Sequence, residues 1–289
     1  MLLVGSANVY TALLPWMVLL TEAGATVRVK PARGQEAAVR AMAAATDPTG
    51  SRLTIRAWKG GEDEDAEGAA FEGVDAVIAF GGAEALSALQ ARAGDGVLFF
   101  GFGPRFGVSV VRDVLRSEGT VDNLVRDAML YDGRGCMSPA AVFTASPPGA
   151  TVDVLAATIA ETPWLTAPYA HSPVEAAETR ARMLLARALG GEARAVSTTY
   201  GLVGTVLYLP SGFDPVALPR VLVVHPMSEI AAVKPWFALL GTVAGDERGD
   251  LPALRRCAVG EMQAPVHDGS HEGIGVIGQI ARLRRRPDQ

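Results

Sequence analysis

The chain has 289 residues, 49% hydrophobic and 20% charged, with a formal net charge of -5. That is enough apolar chain for a full core and two domains, and the acidic balance excludes nucleic acid as the expected partner, because its binders concentrate basic residues on one face. Two cysteines, Cys136 and Cys257, lie far apart and outside any C-x-x-C pair, so neither a disulfide framework nor a metal site is expected, and a reducing cytoplasm fits.

The opening stretch MLLVGSANVYTALLPWMVLL is apolar, but it has no basic leader and no A-x-A site, and Gly5, Asn8, Thr11 and Pro15 interrupt it. It reads as a buried strand followed by a helix, not as a signal peptide or membrane span. A chain that opens on a core strand carries the expectation that an N-terminal part of the domain is missing. Strands then follow at TVRVK, RLTIRAW, DAVIAF and GVLFFG, with helices at GQEAAVRAMAAA and GGAEALSALQARAG between them. Such alternation predicts βαβ units and a mostly parallel, doubly wound sheet. The acidic piece at 60–68 reads as a solvated loop.

Further along, TVDNLVRDAML places Val121, Leu124, Val125, Ala128 and Met129 at helical spacing, leaving Asp122, Asn123 and Arg126 outside. Strands AAVFTA, TVLYLP and RVLVVHP and the capped helix SPVEAAETRARMLLARALGG make a second α/β layer. The expected organisation is a cofactor-binding domain over 1–112, a second α/β domain bearing the cysteine over 113–250, and a C-terminal segment over 251–289 packing back on the core or on a partner. The basic runs at 254–256 and 282–287 read as solvated.

Three glycine turns follow strands: GSAN at 5–8, FGGAEAL at 80–86 and GFGPRFG at 101–107. Glycine between strand and helix lets backbone N–H groups approach a phosphate. Gly81 and Gly82 fit that best, a plain tight turn being the alternative there, whereas Pro104 removes a donor where a helix would have to begin. Cys136 stands in YDGRGCMSP, between Gly135 and Met137, with Gly133, Arg134 and Gly135 on its N-terminal side. A thiol in a glycine turn is reachable by a bulky donor, and an inward Arg134 would stabilise its thiolate; the alternative is a small buried hydrophobe. Cys257 lacks these neighbours and reads as structural. His267 and His271 flank a turn, His225 ends a strand, His171 sits by a helix cap, and no serine lies in a G-x-S-x-G elbow.

In order and spacing, VGSANVYTALLPWMVLL, VRVKPA, AWKGGED, VDAVIAFGGAEALSAL, FFGFGPRFGVSVV, RDAMLYDGRGCMSPAAVF, PRVLVVHPMS and VGEMQAPVHDG resemble the LuxC-type acyl-CoA reductases of the aldehyde dehydrogenase superfamily. The resemblance implies an aldehyde dehydrogenase-like fold and reduction of an acyl thioester, from CoA or a carrier, to an aldehyde with NADPH or NADH. It implies Cys136 as nucleophile, Asn8 with the Cys136 N–H as oxyanion donors, Lys30 on the adenosine ribose, and Gly81, Gly82 and Gly101 along the cofactor. Hydrolytic relatives carry a glutamate near Gly101, and FFGFGP has no carboxylate, which suits a reductase. The family segment S-G-N-V-P is SANVY here, and members carry further residues ahead of it, which implies a shortened cofactor domain. A homo-oligomer or a hetero-subunit partner is expected; the alternatives are a non-catalytic paralogue that binds nucleotide or a partner, and a generic dinucleotide-binding protein.

Overall fold

The computed structural model describes residues 1–116, 119–165, 169–198, 201–245 and 250–284; residues 285–287 of the second basic run lie outside them. The chain forms two compact units, one of residues 1–104 with 266–289, the other of residues 105–265.

In the first unit the elements are β1 (Leu2–Val4), α1 (Leu13–Glu22), β2 (Val27–Lys30), α2 (Glu36–Thr46), β3 (Leu53–Ile55), α3 (Glu64–Phe71), β4 (Ala76–Phe80), α4 (Ala83–Ala93) and β5 (Leu98–Phe102). The strands form one parallel sheet in the order β3-β2-β1-β4-β5. Alternate residues bury on opposite faces, as the pleat requires. Leu3, Val27, Val29 and Ile78 pack with α1 and α2 residues on one side, and Leu2, Val4, Val77 and Ala79 pack with Trp58 and Ala70 on the other.

The acidic piece is not a loop throughout, because α3 begins inside it. The Asp63 carboxylate accepts the Ala66 N–H at 3.2 Å, and Glu64, Asp65 and Glu67 fill the first turn, where negative charge complements the helix dipole. Sequence periodicity could not show this, since α3 buries little.

The second unit begins with β6 (Phe106–Val110) and continues with α5 (Thr120–Met129), β7 (Pro139–Thr144), α6 (Pro148–Glu161), α7 (Pro173–Ala188), β8 (Glu192–Thr198), β9 (Gly201–Tyr208), β10 (Val221–Pro226), β11 (Leu240–Gly245) and β12 (Arg255–Cys257). Its sheet runs β12-β11-β6-β7-β10-β9-β8, parallel except where β8 meets β9. GFGPRFG therefore joins two strands of different sheets and precedes no helix. The division falls at Pro104, ahead of residue 112, because Phe106–Val110 pairs with β7 and β11.

One face of this sheet packs Val142, Val206, Leu222 and Val224 against Leu124 and Val125 of α5 and Val152, Leu155 and Ile159 of α6. The chain then returns to the first unit through the hairpin β13 (Ser270–His271) and β14 (Ile274–Gly275) and through α8 (Val276–Arg284), whose Val276 and Ile280 bury with Trp16 and Met17.

Candidate active site

The cysteine turn is built between α5 and β7. After Met129 a tight turn carries Tyr131 at φ 56°, Asp132 at φ 58° and Gly133 at φ 71°. Two successive non-glycine residues in the left-handed region cost on the order of 1 kcal/mol each. The compensation comes from Arg220, itself at φ 53°. Its backbone N–H donates to the Asp132 carbonyl at 2.9 Å and its Nε to Asp132 Oδ1 at 2.7 Å. Gly133 is required, because a Cβ there would lie 2.9 Å from the Ala128 carbonyl oxygen.

The Ser138 N–H then donates to the Gly135 carbonyl at 2.9 Å, closing a four-residue turn with Cys136 and Met137 at its centre. Cys136 is half-buried and Ser138 buried. The thiol thus sits ahead of β7, at the amino edge of a strand flanked by β6 and β10, the edge where Arg220 also stands just before β10.

Arg134 does not stand as an unopposed counter-ion for a thiolate. It is ion-paired with Glu175 in the first turn of α7 and donates to the Tyr169 hydroxyl. Glu175 completes a capping box with Ser172, and the Ser172 N–H it accepts holds its carboxyl below the ordinary range. The Arg134 and Arg220 guanidinium groups both lie over the Tyr169 ring, at 5.4 and 5.6 Å. His171 packs edge-on against Tyr169 at 4.7 Å, with both ring nitrogens buried and unpartnered; burial lowers its pKa and keeps it neutral. His225 is buried beside Phe143 and Phe213, with its pKa pushed down to about 4 by burial. Cys257 is buried with Met262 and Ala244, as a structural cysteine would be.

Two residues on the far side of the turn escaped the sequence reading. Asp127 is fully buried on α5. Its carboxylate accepts the N–H groups of Gly260 at 2.6 Å and Met262 at 3.0 Å, and burial raises its pKa to about 6 against those bonds. Gln263, the next residue along, donates from Nε2 to the Asp127 carbonyl at 3.0 Å and to Ser138 Oγ at 2.8 Å. Asp127 had a signal: position 127 is three residues after Leu124, on the face that Val121, Leu124 and Ala128 define. Gln263 had none.

In the first unit the remaining candidates gather at the carboxyl edge of the sheet. The order β3-β2-β1-β4-β5 places the topological switch between β1 and β4, where ligands of open α/β sheets bind. Gly5 and Asn8 follow β1, and Gly81 and Gly82 follow β4. Asn8 is exposed, on a loop tied down by Gln35, whose Nε2 donates to the Ala7 carbonyl at 2.6 Å. Gly82 caps α4 without a side-chain hydrogen bond to the helix N-terminus, and a Cβ there would meet nothing within 4 Å. Gly101 pairs with Ala79 in the sheet and is exposed. Cys136 belongs to the second unit and these five residues to the first.

The residues fit a dinucleotide. The N-terminus of α4, which no cap side chain hydrogen-bonds, presents backbone N–H groups of the kind that suit a diphosphate. At the end of β2 the Lys30 ammonium lies 5.1 Å from the centroid of the Trp58 ring, with its pKa lowered chiefly by burial, and the Trp58 indole N–H is buried and unpartnered. A cation and an orphan donor together suit ribose or phosphate oxygens. Among the described residues no group of three or more His, Cys, Asp or Glu is placed to hold a metal, and no helix is long and apolar enough to cross a membrane.

The fold is that of aldehyde dehydrogenases. A structure of proline utilization A with proline bound in remote sites matches with a TM-score of 0.63 and 14% identity over 89% of this chain and 30% of that one. An NAD-dependent benzaldehyde dehydrogenase from Corynebacterium glutamicum matches at 0.61 and 13% identity, over 89% of this chain and 62% of its own. A 3,6-anhydro-L-galactose dehydrogenase in complex with NAP matches at 0.62 and 11% identity, over the same shares. The chain therefore spans less than two thirds of these relatives. No curated protein matches by sequence. The family model described as acyl-CoA reductase (LuxC) matches residues 37–283, which takes in α2 to α8 and the whole cysteine turn: the chain belongs to the LuxC acyl-CoA reductase family.

Proposed function

We propose that this chain reduces an acyl thioester, of CoA or of a carrier, to an aldehyde, with Cys136 as the acyl acceptor. The observation that carries it is a half-buried thiol in a glycine-flanked turn whose strained approach is held by Arg220, within a chain of the acyl-CoA reductase family. Backbone strain kept in place by long-range contacts marks a site where position matters.

The Cys136 thiolate attacks the thioester carbon, a C–Sγ bond forms, and the donor's C–S bond breaks with its thiolate leaving, so the acyl group passes from one sulfur to another with no net redox change. Asn8 is proposed to donate to the carbonyl oxygen as its charge grows. Lys30 and the α4 N-terminus at Gly81 and Gly82 would hold NADPH or NADH, with Gly101 leaving the adjoining strand end open. When bound, that cofactor supplies the hydride that takes the acyl carbon to the aldehyde level. Cys136 is then the leaving group as the aldehyde departs. With no carboxylate at Gly101, no side chain there activates water to release an acid.

The test is to mix the chain with an acyl-CoA and weigh the intact protein. An adduct of one acyl group on wild type, absent from Cys136→Ala, supports the reading. No adduct on wild type, or one that survives the substitution, overturns it, and nucleotide binding without any adduct would favour the non-catalytic paralogue.

A further inference from the structure

Gln263 reaches the cysteine turn from the C-terminal part of the second unit, 125 positions beyond Ser138. Its amide nitrogen spends its two hydrogens on two different walls. One bond goes to the Asp127 carbonyl near the end of α5, before the turn, and the other to Ser138 Oγ, after it. The amide oxygen lies on the Gly135 side, since a Cβ on Gly135 would stand 3.2 Å from Gln263 Oε1 and 3.1 Å from Ser138 Oγ. One side chain therefore spans the segment that contains Cys136, and glycine at 135 is what lets it lie so close.

The residue that holds this bridge is itself fixed. The neighbouring backbone N–H of Met262 and that of Gly260 end on the buried Asp127 carboxylate. The Met262 thioether accepts from Ser109 Oγ at 3.5 Å, and a side chain on Gly107 would collide with Met262 and the Met137 carbonyl. Arg255 adds bonds to the Met262 carbonyl at 2.9 Å and the Glu261 carbonyl at 2.7 Å. A flexible glutamine is thus presented from a pinned backbone, which reduces the entropy it must lose to make two bonds.

We propose that Gln263 is a positioning residue for Cys136: it clamps the Gly135–Ser138 turn so that Sγ is held for attack, without itself touching the acyl donor. The inference rests on the reading of Cys136 as the acyl acceptor. It predicts that removing the amide slows acylation while leaving donor binding alone.

The experiment compares wild type, Gln263→Met, which keeps the length and removes both donors, and Ser138→Ala, which removes one acceptor. Two quantities are read: the acylation rate and its half-saturating acyl-CoA concentration by quenched-flow mass spectrometry, and hydrogen exchange of the peptide over 130–138. Loss of a buried bridging amide is expected to lower the acylation rate about tenfold, with half-saturation unchanged and exchange faster in 130–138 but not in α6. Ser138→Ala should move both quantities the same way and less, and it carries the test if Gln263→Met fails to fold. Faster exchange with an unchanged acylation rate would reduce Gln263 to a structural tie and overturn the proposal, as would no change in either. A wild type that is never acylated overturns the reading of Cys136 instead, and the two failures are told apart by the wild-type arm alone.

Discussion

The two units carry their candidate sites at opposite kinds of sheet edge and build them by opposite means. In the first, the carboxyl ends of β1, β2 and β4 offer open backbone: Gly82 has empty space around it, Asn8 is exposed, and Lys30 lies over Trp58. In the second, the amino edge of β7 offers a turn crowded with left-handed residues, ion pairs and a bridging amide. A site for a diphosphate needs N–H groups left uncovered, and small residues suffice. A nucleophile needs one atom held in one place, so its turn must be tied from several sides.

The contrast breaks most sharply at Cys136. Cys136→Ser should reduce acylation by at least about a thousandfold, some 4 kcal/mol of transition-state stabilisation, with little change in the urea midpoint; a residual rate within tenfold of wild type would mean another nucleophile. Asn8→Ala is expected to lower the reduction rate about a hundredfold, near the usual 3 kcal/mol for one oxyanion donor. Stability should not follow, because the side chain is exposed; an unchanged rate in steady-state assays would remove Asn8 from the machinery.

Stability distinguishes the two edges next. Gly133→Ala should cost on the order of 2 kcal/mol by denaturant titration, from the left-handed backbone and the encroachment on the Ala128 carbonyl. Gly82→Ala, where φ is -69° and nothing is near, should stay within about 0.5 kcal/mol of wild type. Its effect belongs in NADPH binding, a weakening of roughly threefold to tenfold by fluorescence titration as the methyl covers part of the helix terminus. Equal stability losses at both glycines would erase the comparison.

The remaining effect concerns pH. Burial raises the Asp127 pKa from 3.8 to about 6, so the native state takes up a proton more readily than the unfolded chain. The contribution of this group to stability is then greatest below about pH 4 and declines as pH rises to about 6. Urea unfolding of wild type relative to Asp127→Asn should lose on the order of 1–2 kcal/mol across that window and run flat above it. Parallel profiles would show that the Gly260 and Met262 N–H bonds already offset the burial.

Much of the fold was legible along the chain because it is periodic. The strands of the first sheet alternate with helices of ordinary length, and Leu124, Val125, Ala128 and Met129 mark the buried face of α5 by spacing alone. Phe106–Val110 was not legible as a member of the second sheet, because a fully buried parallel strand reads the same in either sheet and only pairing with Pro139–Phe143 and Leu240–Gly245 assigns it. The helix within the acidic stretch was hidden by its polar surface and revealed by its cap.

The sequence by itself determined that one thiol would stand in a glycine turn between a helix and a strand, since local propensity and turn chemistry depend on near neighbours. Tertiary structure decided what holds that turn. Arg134 answers to Glu175, Arg220 supports Asp132, and Gln263 reaches Ser138 across most of a unit, and a hydrogen bond between residues so far apart leaves no periodic trace in the chain that makes it.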